Sequence, residues 1–538
     1  MLNRLAKCQN IAIFTLMYYY TKISRNHSTR FYYQSGTNNK QLKTLSQTIW
    51  ESFGFEIQTL IDGKSNNKGI PGEYYVELIV IQLFNNWRMD RSLCLASPKN
   101  NNALKAKDFY NPNQIAIPKL AKTFNALIKF DYVDSINHSH SSDPSSTNTT
   151  SRIRTSQKLN SLFLRLDATE FDVDLHKNEL MIELRDGEVD AFGEPKRTVS
   201  RKRISMRRPY NPKAPHIAEM LVVLKNYNEL LSRTHIDIAS LDQPYVVRER
   251  RDSFNRIVKQ LIPVNQNNKF VRRVFSRGSW KHNGRFYGPF WQQVGDKDEN
   301  KYRSNIRING KSTMELYYSG LYPNILTVEQ GLKPIGDVYN LDTQIIPKFD
   351  MKQQRSILKL LVFVLLNASD RSSGFYAIRD KLKDADDGSL RSLTNQDYEA
   401  YLSAFIAKHP HLENSIASDQ GSRLMHIDSQ IIEHIIKKAT AKEIAVLSLH
   451  DSVIVAERHE LFMIQAMKDA TKDILGTELP FDQNGNTTVY TQNLAIFRDG
   501  NYTFDLVQPS ISTLPSPVTT RHEADLSKIR QYLNSNKL

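Results

Sequence analysis

A chain of 538 residues, at roughly 150 residues per domain, has room for about three or four domains and large buried cores, which excludes a peptide hormone or a disulfide miniprotein. Its 40% hydrophobic and 24% charged residues are those of a globular protein, not of a disordered or collagen-like one. Lys plus Arg (72) exceed Asp plus Glu (57), giving +15 and a pI of about 9.4. That excess suits a polyanionic partner, nucleic acid before others, with a merely basic surface as the alternative. Only Cys8 and Cys94 occur, too few for a disulfide framework or a Cys-based zinc site, which suggests a reducing compartment.

The first 50 residues hold Arg4, Lys7, Lys22, Arg25, Arg30, Lys40 and Lys43 and no acid. This is the composition of a mitochondrial presequence, or of an unstructured basic tail behind a mis-assigned start; a bacterial chain would instead be cytoplasmic and nucleoid-associated. The longest apolar run, Ile11 to Tyr20, is about half of the roughly 20 residues that span a bilayer, so no membrane is expected. Tyr74 to Trp87 reads as a helix, and Ile117, Leu120, Phe124, Leu127 and Ile128 recur at helical spacing behind Pro118. A strand at Phe130 to Val133, a polar insertion from Asn137 to Ser151 and a basic strand over Ser151 to Thr155 carrying Arg152 and Arg154 follow. Helix, strand, hairpin tip and basic strand is the order of a winged helix, in which the wing touches phosphate; a plain helical domain with a loop has the same pattern.

Leu164 to Gly187 alternates as a β hairpin would, and its Asp167, Glu170, Asp172 and Asp174 are read as surface acids because their spacing matches no exonuclease motif. Lys196 to Arg208 holds seven basic residues in thirteen, a strand-hugging loop or a solvated linker. Helices are expected over Pro215 to Leu231 and Val246 to Leu261. Lys269 to Trp291 then interleaves Arg272, Arg273, Arg277, Lys281 and Arg285 with Phe275, Trp280, Phe286, Tyr287, Phe290 and Trp291. Cations for phosphate and rings for bases suit nucleic acid, and a core strand with a charged outer face is the alternative.

Met351 to Ala368 is helical by length and leucine content, and puts Arg355, Lys359, Phe363 and Asn367 on one stripe. Two cations one turn apart repel, and a triphosphate between them would relieve this, with Phe363 and Asn367 reaching base and sugar; a buried helix with two snorkelling cations is the alternative. Ile444 to Ala456 reads as two apolar strands with His450-Asp451-Ser452 at the break, a hairpin with a carboxylate at its tip.

These elements, over about Lys269 to Gly500, resemble the family A DNA polymerases of the bacterial polymerase I type and their relatives, the single-subunit phage and mitochondrial RNA polymerases. Gly284-Arg285, Gln292-Gln293 and Arg303 are similar to the approach to motif A, whose arginine contacts the primer-template minor groove. Leu316-Tyr317-Tyr318-Ser319-Gly320-Leu321-Tyr322 lies where motif A, Asp-Tyr-Ser-x-x-Glu, belongs. Asp337-Val338-Tyr339 resembles the box ahead of the fingers helix, Arg355, Lys359 and Phe363 match motif B, and His450-Asp451-Ser452 matches motif C. The chain departs from the pattern in having Asn367-Ala368 for the Tyr-Gly after motif B, and Tyr317 for the metal-binding aspartate. A phenol is a poor magnesium ligand; Glu315, two residues back on the same strand face, is a candidate substitute. Tyr322 stands at the family's steric gate, and Gly320-Leu321-Tyr322-Pro323 is also similar to family B motif A, where a tyrosine is the gate.

The resemblance implies an α+β right hand and template-directed, two-metal nucleotidyl transfer. The expected architecture is a basic tail (1–50), a winged-helix-like DNA-binding domain (51–165), a β hairpin, basic loop and thumb-like helices (166–268), palm and fingers (269–506) and a tail (507–538). Asp451, His450, Tyr317 and Glu315 are the expected catalytic set; Arg355, Lys359, Phe363, Asn367 and Tyr322 would bind nucleotide. Arg285, Arg272, Arg273, Arg277, Gln292, Arg152 and Arg154 would bind DNA, and Asp451, Tyr318 and Glu315 would hold Mg²⁺ or Mn²⁺. DNA primer-template and nucleoside triphosphates are the expected partners, with oligomeric state open. The alternatives are a non-catalytic polymerase-like protein that binds DNA or nucleotide, and a winged-helix regulator whose C-terminal half dimerises.

Overall fold

The structure is a computed structural model that describes residues 28–63, 70–97, 108–136, 151–185, 207–251, 257–295, 302–382, 388–485, 496–498, 501–503 and 519–535. The basic stretch before residue 28, the polar insertion 137–150 and most of the basic run at 196–206 lie outside it. The chain is mixed helix and sheet, an α+β arrangement around two hydrophobic cores. Among the described residues no helix is long and apolar enough to cross a membrane.

The N-terminal core forms around α3 (Gly72–Met89), preceded by α1 (Lys40–Ser52) and α2 (Gly54–Asp62). Apolar on nearly every face, α3 is buried all round, as such a helix must be. Its buried amides are satisfied: Gln82 accepts from the Tyr32 N–H (2.8 Å) and donates to the Tyr32 and Leu78 carbonyls, while Asn86 donates to the Cys94 carbonyl (3.1 Å). Strand β1 (Cys94–Ser97) leads to α4 (Ile117–Lys129), whose first turn carries Pro118 and whose Ile117, Leu120, Phe124 and Leu127 are buried. Strands β2 (Val133–Ile136) and β3 (Ser151–Thr155) pair antiparallel, β1 adds to the other edge of β3, and α5 (Gln157–Phe163) follows.

The larger core spans two sheets and their helices. Strand β4 (Ile182–Arg185), α6 (Pro215–Ser232) and β5 (Ile236–Ile238) precede an antiparallel pair, β6 (Tyr245–Arg251) and β7 (Ile257–Pro263). Strands β8 (Arg272–Phe275) and β9 (Asn283–Tyr287) form a hairpin, and β4 joins β8 in parallel. Strands β10 (Ile306–Ile308) and β11 (Lys311–Tyr318) lead to α7 (Leu321–Glu329), α8 (Met351–Asn367), α9 (Arg371–Leu382), α10 (Asn395–Lys408) and α11 (Gly421–Ala441). Strands β12 (Val446–Leu449) and β13 (Ser452–Ala456), α12 (Glu460–Leu475) and β14 (Phe481–Gly485) complete it, and α13 (Thr520–Ser535) lies near the C-terminus. The site-bearing sheet runs β12-β13-β11-β10-β5, with β14 also on β11.

Two expectations are corrected. Val246 to Leu261 is no helix but the β6–β7 pair: Val246, Val247, Ile257, Val258 and Ile262 are β-branched and stiff at χ1, which favours a pleated strand. Among the described residues the thumb-like stretch from Pro215 is therefore helical at α6 alone. Leu164 to Gly187 is no hairpin, since Val173–Asp174 pairs with Gly36–Thr37 and β4 with β8; alternation marks a strand and says nothing of its partner. The acids there serve the surface: Glu170 pairs with Arg88 at 3.1 Å, and Asp172 closes a capping box on Thr169.

Candidate functional site

A two-residue turn, His450-Asp451, joins β12 to β13. His450 adopts φ +59°, a left-handed conformation costing a non-glycine residue on the order of 1 kcal/mol, and Asp451 stands exposed at the tip. The His450 ring lies 5.5 Å from that of Tyr287, and burial, with Arg285 adding, pushes its imidazole down to about 4. It is neutral at pH 7, with Nδ1 buried and unpartnered among the described residues.

Strand β11 runs beside this tip. Tyr317 is paired with Ser452 of β13 on one side and Asp482 of β14 on the other, so the three share one face and form a row. Glu315, two residues back, stands on the same face: the Ser452 hydroxyl donates to its Oε1 at 2.6 Å, and Arg303 Nη1 approaches its Oε2 at 3.4 Å. Tyr318 alternates to the opposite face, where it is buried and donates to the Met467 carbonyl at 2.8 Å. Its side chain is thereby removed from the expected metal ligands. Gly320 turns the chain from β11 into α7 at φ +55°, with Val338 so close that a Cβ would sit 2.9 Å from its Cγ2.

Helix α8 forms the facing wall. Asp350 caps it with Gln353, and Ile357, Leu358, Leu361, Val362 and Leu365 are buried, which leaves Arg355, Lys359 and Phe363 exposed on one stripe. Arg355 donates to Asp337 at 2.6 Å. Burial and Asp482 push the Tyr317 phenol up and Arg355 opposes them, which marks all three as neighbours. The Phe363 ring is stacked 6.4 Å from that of Tyr322, and the Lys381 ammonium sits 5.3 Å from its centroid. Asn367 does not reach out along the stripe but donates to the Phe363 carbonyl at 2.7 Å.

Strand β9 supplies the third wall through Arg285, which donates from Nε to Asp428 of α11 at 2.6 Å and from Nη2 to the Tyr322 hydroxyl at 2.7 Å. Asp428 is fully buried; burial raises its pKa, Arg285 opposes this, and nearby Asp451 adds to it. Arg285 is thus bound into the floor of the cleft and not extended toward a minor groove. Asp428, Asp482 and Lys381 were not singled out by sequence. Only Asp428 left a signal, an acid on the apolar face made by Leu424, Ile431 and Ile435.

The rest of the expected DNA-contact set makes polar contacts within the chain. Arg273 is buried, donating to Glu433 (2.8 Å), Ser429 and the Gly284 carbonyl. Gln292 donates to the Phe286 and Ser448 carbonyls and accepts from the Gly288 N–H. Arg277 makes a two-pronged surface pair with Asp419, and Arg272 pairs with Glu179 at 2.7 Å. Arg152 donates to Ser28 at 2.8 Å, and Arg154 to Asp134 across the β2–β3 pair at 3.2 Å. The interleaved cations and rings of Lys269 to Trp291 are mostly core: Phe275, Phe286, Phe290 and Trp291 are all buried.

The donor set around Asp451 is a poor match for Mg²⁺. Asp451 offers an exposed carboxylate, but the β11 residue in the row beside it is a phenol, and Glu315 is already held by Ser452 and Arg303. Among the described residues no group of three or more His, Cys, Asp or Glu is disposed to hold a metal ion. The donor set does not fit a pair of divalent cations.

No protein-family model matches the chain, and no curated protein does. Among solved structures it is similar, at 12% identity and a TM-score of 0.23, to one described as "POL domain of Pol1 from M. smegmatis complex with DNA primer-template and dNTP". The match covers 44% of this chain and 48% of that one, so it spans about half of the other's length.

Proposed function

We propose that this is a polymerase-like protein whose cleft receives a nucleoside triphosphate against the α8 stripe and the end of a nucleic-acid strand beside Asp451. One observation carries the reading: Asp451, the end of β11, Arg285 with Tyr322, and Arg355 with Phe363 come from separate segments and lie close to one another. Phosphate would meet Lys359, which has no ion-pair partner among the described residues, and Arg355, which would exchange Asp337 for it. Phe363 offers the base an exposed edge, with Tyr322 closing the floor under the sugar. The finer reading is DNA-directed DNA synthesis, preceded in the chain by a winged-helix-like domain; the helix-strand-strand order of α4, β2 and β3 supports that domain.

A second reading, binding without transfer, is favoured by Tyr317 and the donor set around it. No metal-dependent step is assigned to wild-type residues. Titration calorimetry with dNTPs and NTPs tests the shared part: Lys359→Ala should weaken binding at least about tenfold, about 1.4 kcal/mol, and unchanged affinity would overturn the assignment of α8. A primer-extension gel separates the two readings.

A further inference from the structure

A second concave site lies where the N-terminal core meets the β9-β8-β4 sheet. It is a recess of about 330 Å³ bordered by Arg30, Tyr32, Tyr33, Tyr110, Arg207 and Arg272. That volume is in the range of ligand pockets. Its acids are Glu179 and Glu183, and each already has a cation: Arg272 holds Glu179 at 2.7 Å, joined by His176, and Arg185 holds Glu183 at 2.8 Å. The lining thus holds three arginines, Arg30, Arg207 and Arg272, against two glutamates, with Arg30 also near Glu179. Arg30 lies 4.6 Å above the Tyr32 ring and Arg207 4.7 Å above the Tyr110 ring; among the described residues the carboxylate paired with Arg207 is Asp108, at 4.0 Å. A guanidinium stacked on a ring keeps its edge N–H groups for phosphate and its outer face for a base.

Tyr287 stands between Arg272 at the border of the recess and the His450-Asp451 turn. Arg272 is the register partner of Tyr287, so the two side chains are neighbours on one face. The Tyr287 ring in turn lies 5.5 Å from that of His450, beside Asp451.

We infer that the junction site binds a single strand of nucleic acid on its way into or out of the cleft, an inference that rests on the polymerase-like reading. Arg30 and Arg207 neutralise successive phosphates, and Tyr32, Tyr33 and the stacked guanidinium planes receive unpaired bases. The recess admits an unpaired nucleotide and is too small for a duplex.

The test is fluorescence anisotropy of a labelled single-stranded oligonucleotide over a range of salt, comparing the full chain with its Arg30→Gln/Arg207→Gln double variant. The variant should bind at least about tenfold more weakly. Its slope of log K against log salt should be shallower by about 1.4, from two phosphates at about 0.7 each. Unchanged affinity and slope, or an equal loss for a hairpin duplex, would overturn the inference. In wild type, an oligonucleotide bearing a photoreactive base should cross-link to the peptide holding Tyr32 and Tyr33; absence of that product overturns it without any variant. Nucleotide binding by calorimetry should be intact in the double variant and lost in Lys359→Ala. If Lys359→Ala retains it while the double variant still loses the oligonucleotide, the cleft reading fails and the junction site stands.

Discussion

Tyr317, the penultimate residue of β11, has its phenol among Asp482, Arg355 and Glu315, one strand from Asp451. Burial and two carboxylates keep it protonated well above neutral pH, so it presents a hydroxyl where two-cation chemistry needs an anion. Replacing it with aspartate sets a carboxylate in the row between Ser452 and Asp482, beside the tip. Tyr317→Asp should therefore tighten Mn²⁺ binding at least about tenfold in paramagnetic-resonance titrations. It should also raise primer extension roughly 100-fold, about 2.7 kcal/mol of transition-state stabilisation. Asp451→Asn in that background should remove both gains. If Tyr317→Asp gains neither metal nor extension while remaining folded, positions 317 and 451 do not share a site. Brisk extension by wild type, abolished by Glu315→Gln, would instead make Glu315 the working carboxylate.

At the scale of elements, the β8–β9 hairpin is fixed to α11 by charge as much as by packing. Arg273, 2% exposed, is held by Glu433, Ser429 and the Gly284 carbonyl. Removing Arg273 leaves Glu433 mostly buried with only the weaker Lys437 contact at 3.7 Å, so Arg273→Ala should cost about 3 kcal/mol or more in urea unfolding. Arg273→Met with Glu433→Leu should cost clearly less; an equal loss would place the effect in packing alone. This hairpin also shows why sequence misled. Arg273 shares a strand face with Phe275, as any i, i+2 pair does, and its partner lies 160 residues further along the chain, so nothing local distinguishes an arginine that binds Glu433 from one that binds phosphate. Elements set by short-range pattern were legible: α8 with its exposed stripe, α3, α4, and the His450-Asp451 turn between two apolar strands. Where the outcome depended on a distant partner it was not: β4 against β8, and the row joining Tyr317 to Asp482.

For the molecule as a whole, the +15 charge and one buried amine act on stability in the same direction. Net positive charge repels itself, and this repulsion fades as pH rises toward the pI of about 9.4. Lys269 is buried at the end of α6, its amine donating to the Ser232 and Thr234 carbonyls at 3.1 and 2.6 Å. Burial pushes its pKa down from 10.5 to about 7. Between those values the unfolded chain carries a proton that the folded chain lacks, so stability rises with pH; below about 7 both states carry it and the dependence vanishes. Salt separates the two causes, because it screens the surface field and leaves a buried amine untouched. In high salt the urea midpoint of wild type should still climb from pH 7 to 9.5, while that of Lys269→Met should be nearly flat. The variant's overall stability can be lower, since two carbonyls lose their donor, but it is the slope that tests the argument. An equal climb in wild type and Lys269→Met would show that Lys269 titrates normally and that the pH dependence belongs to the surface.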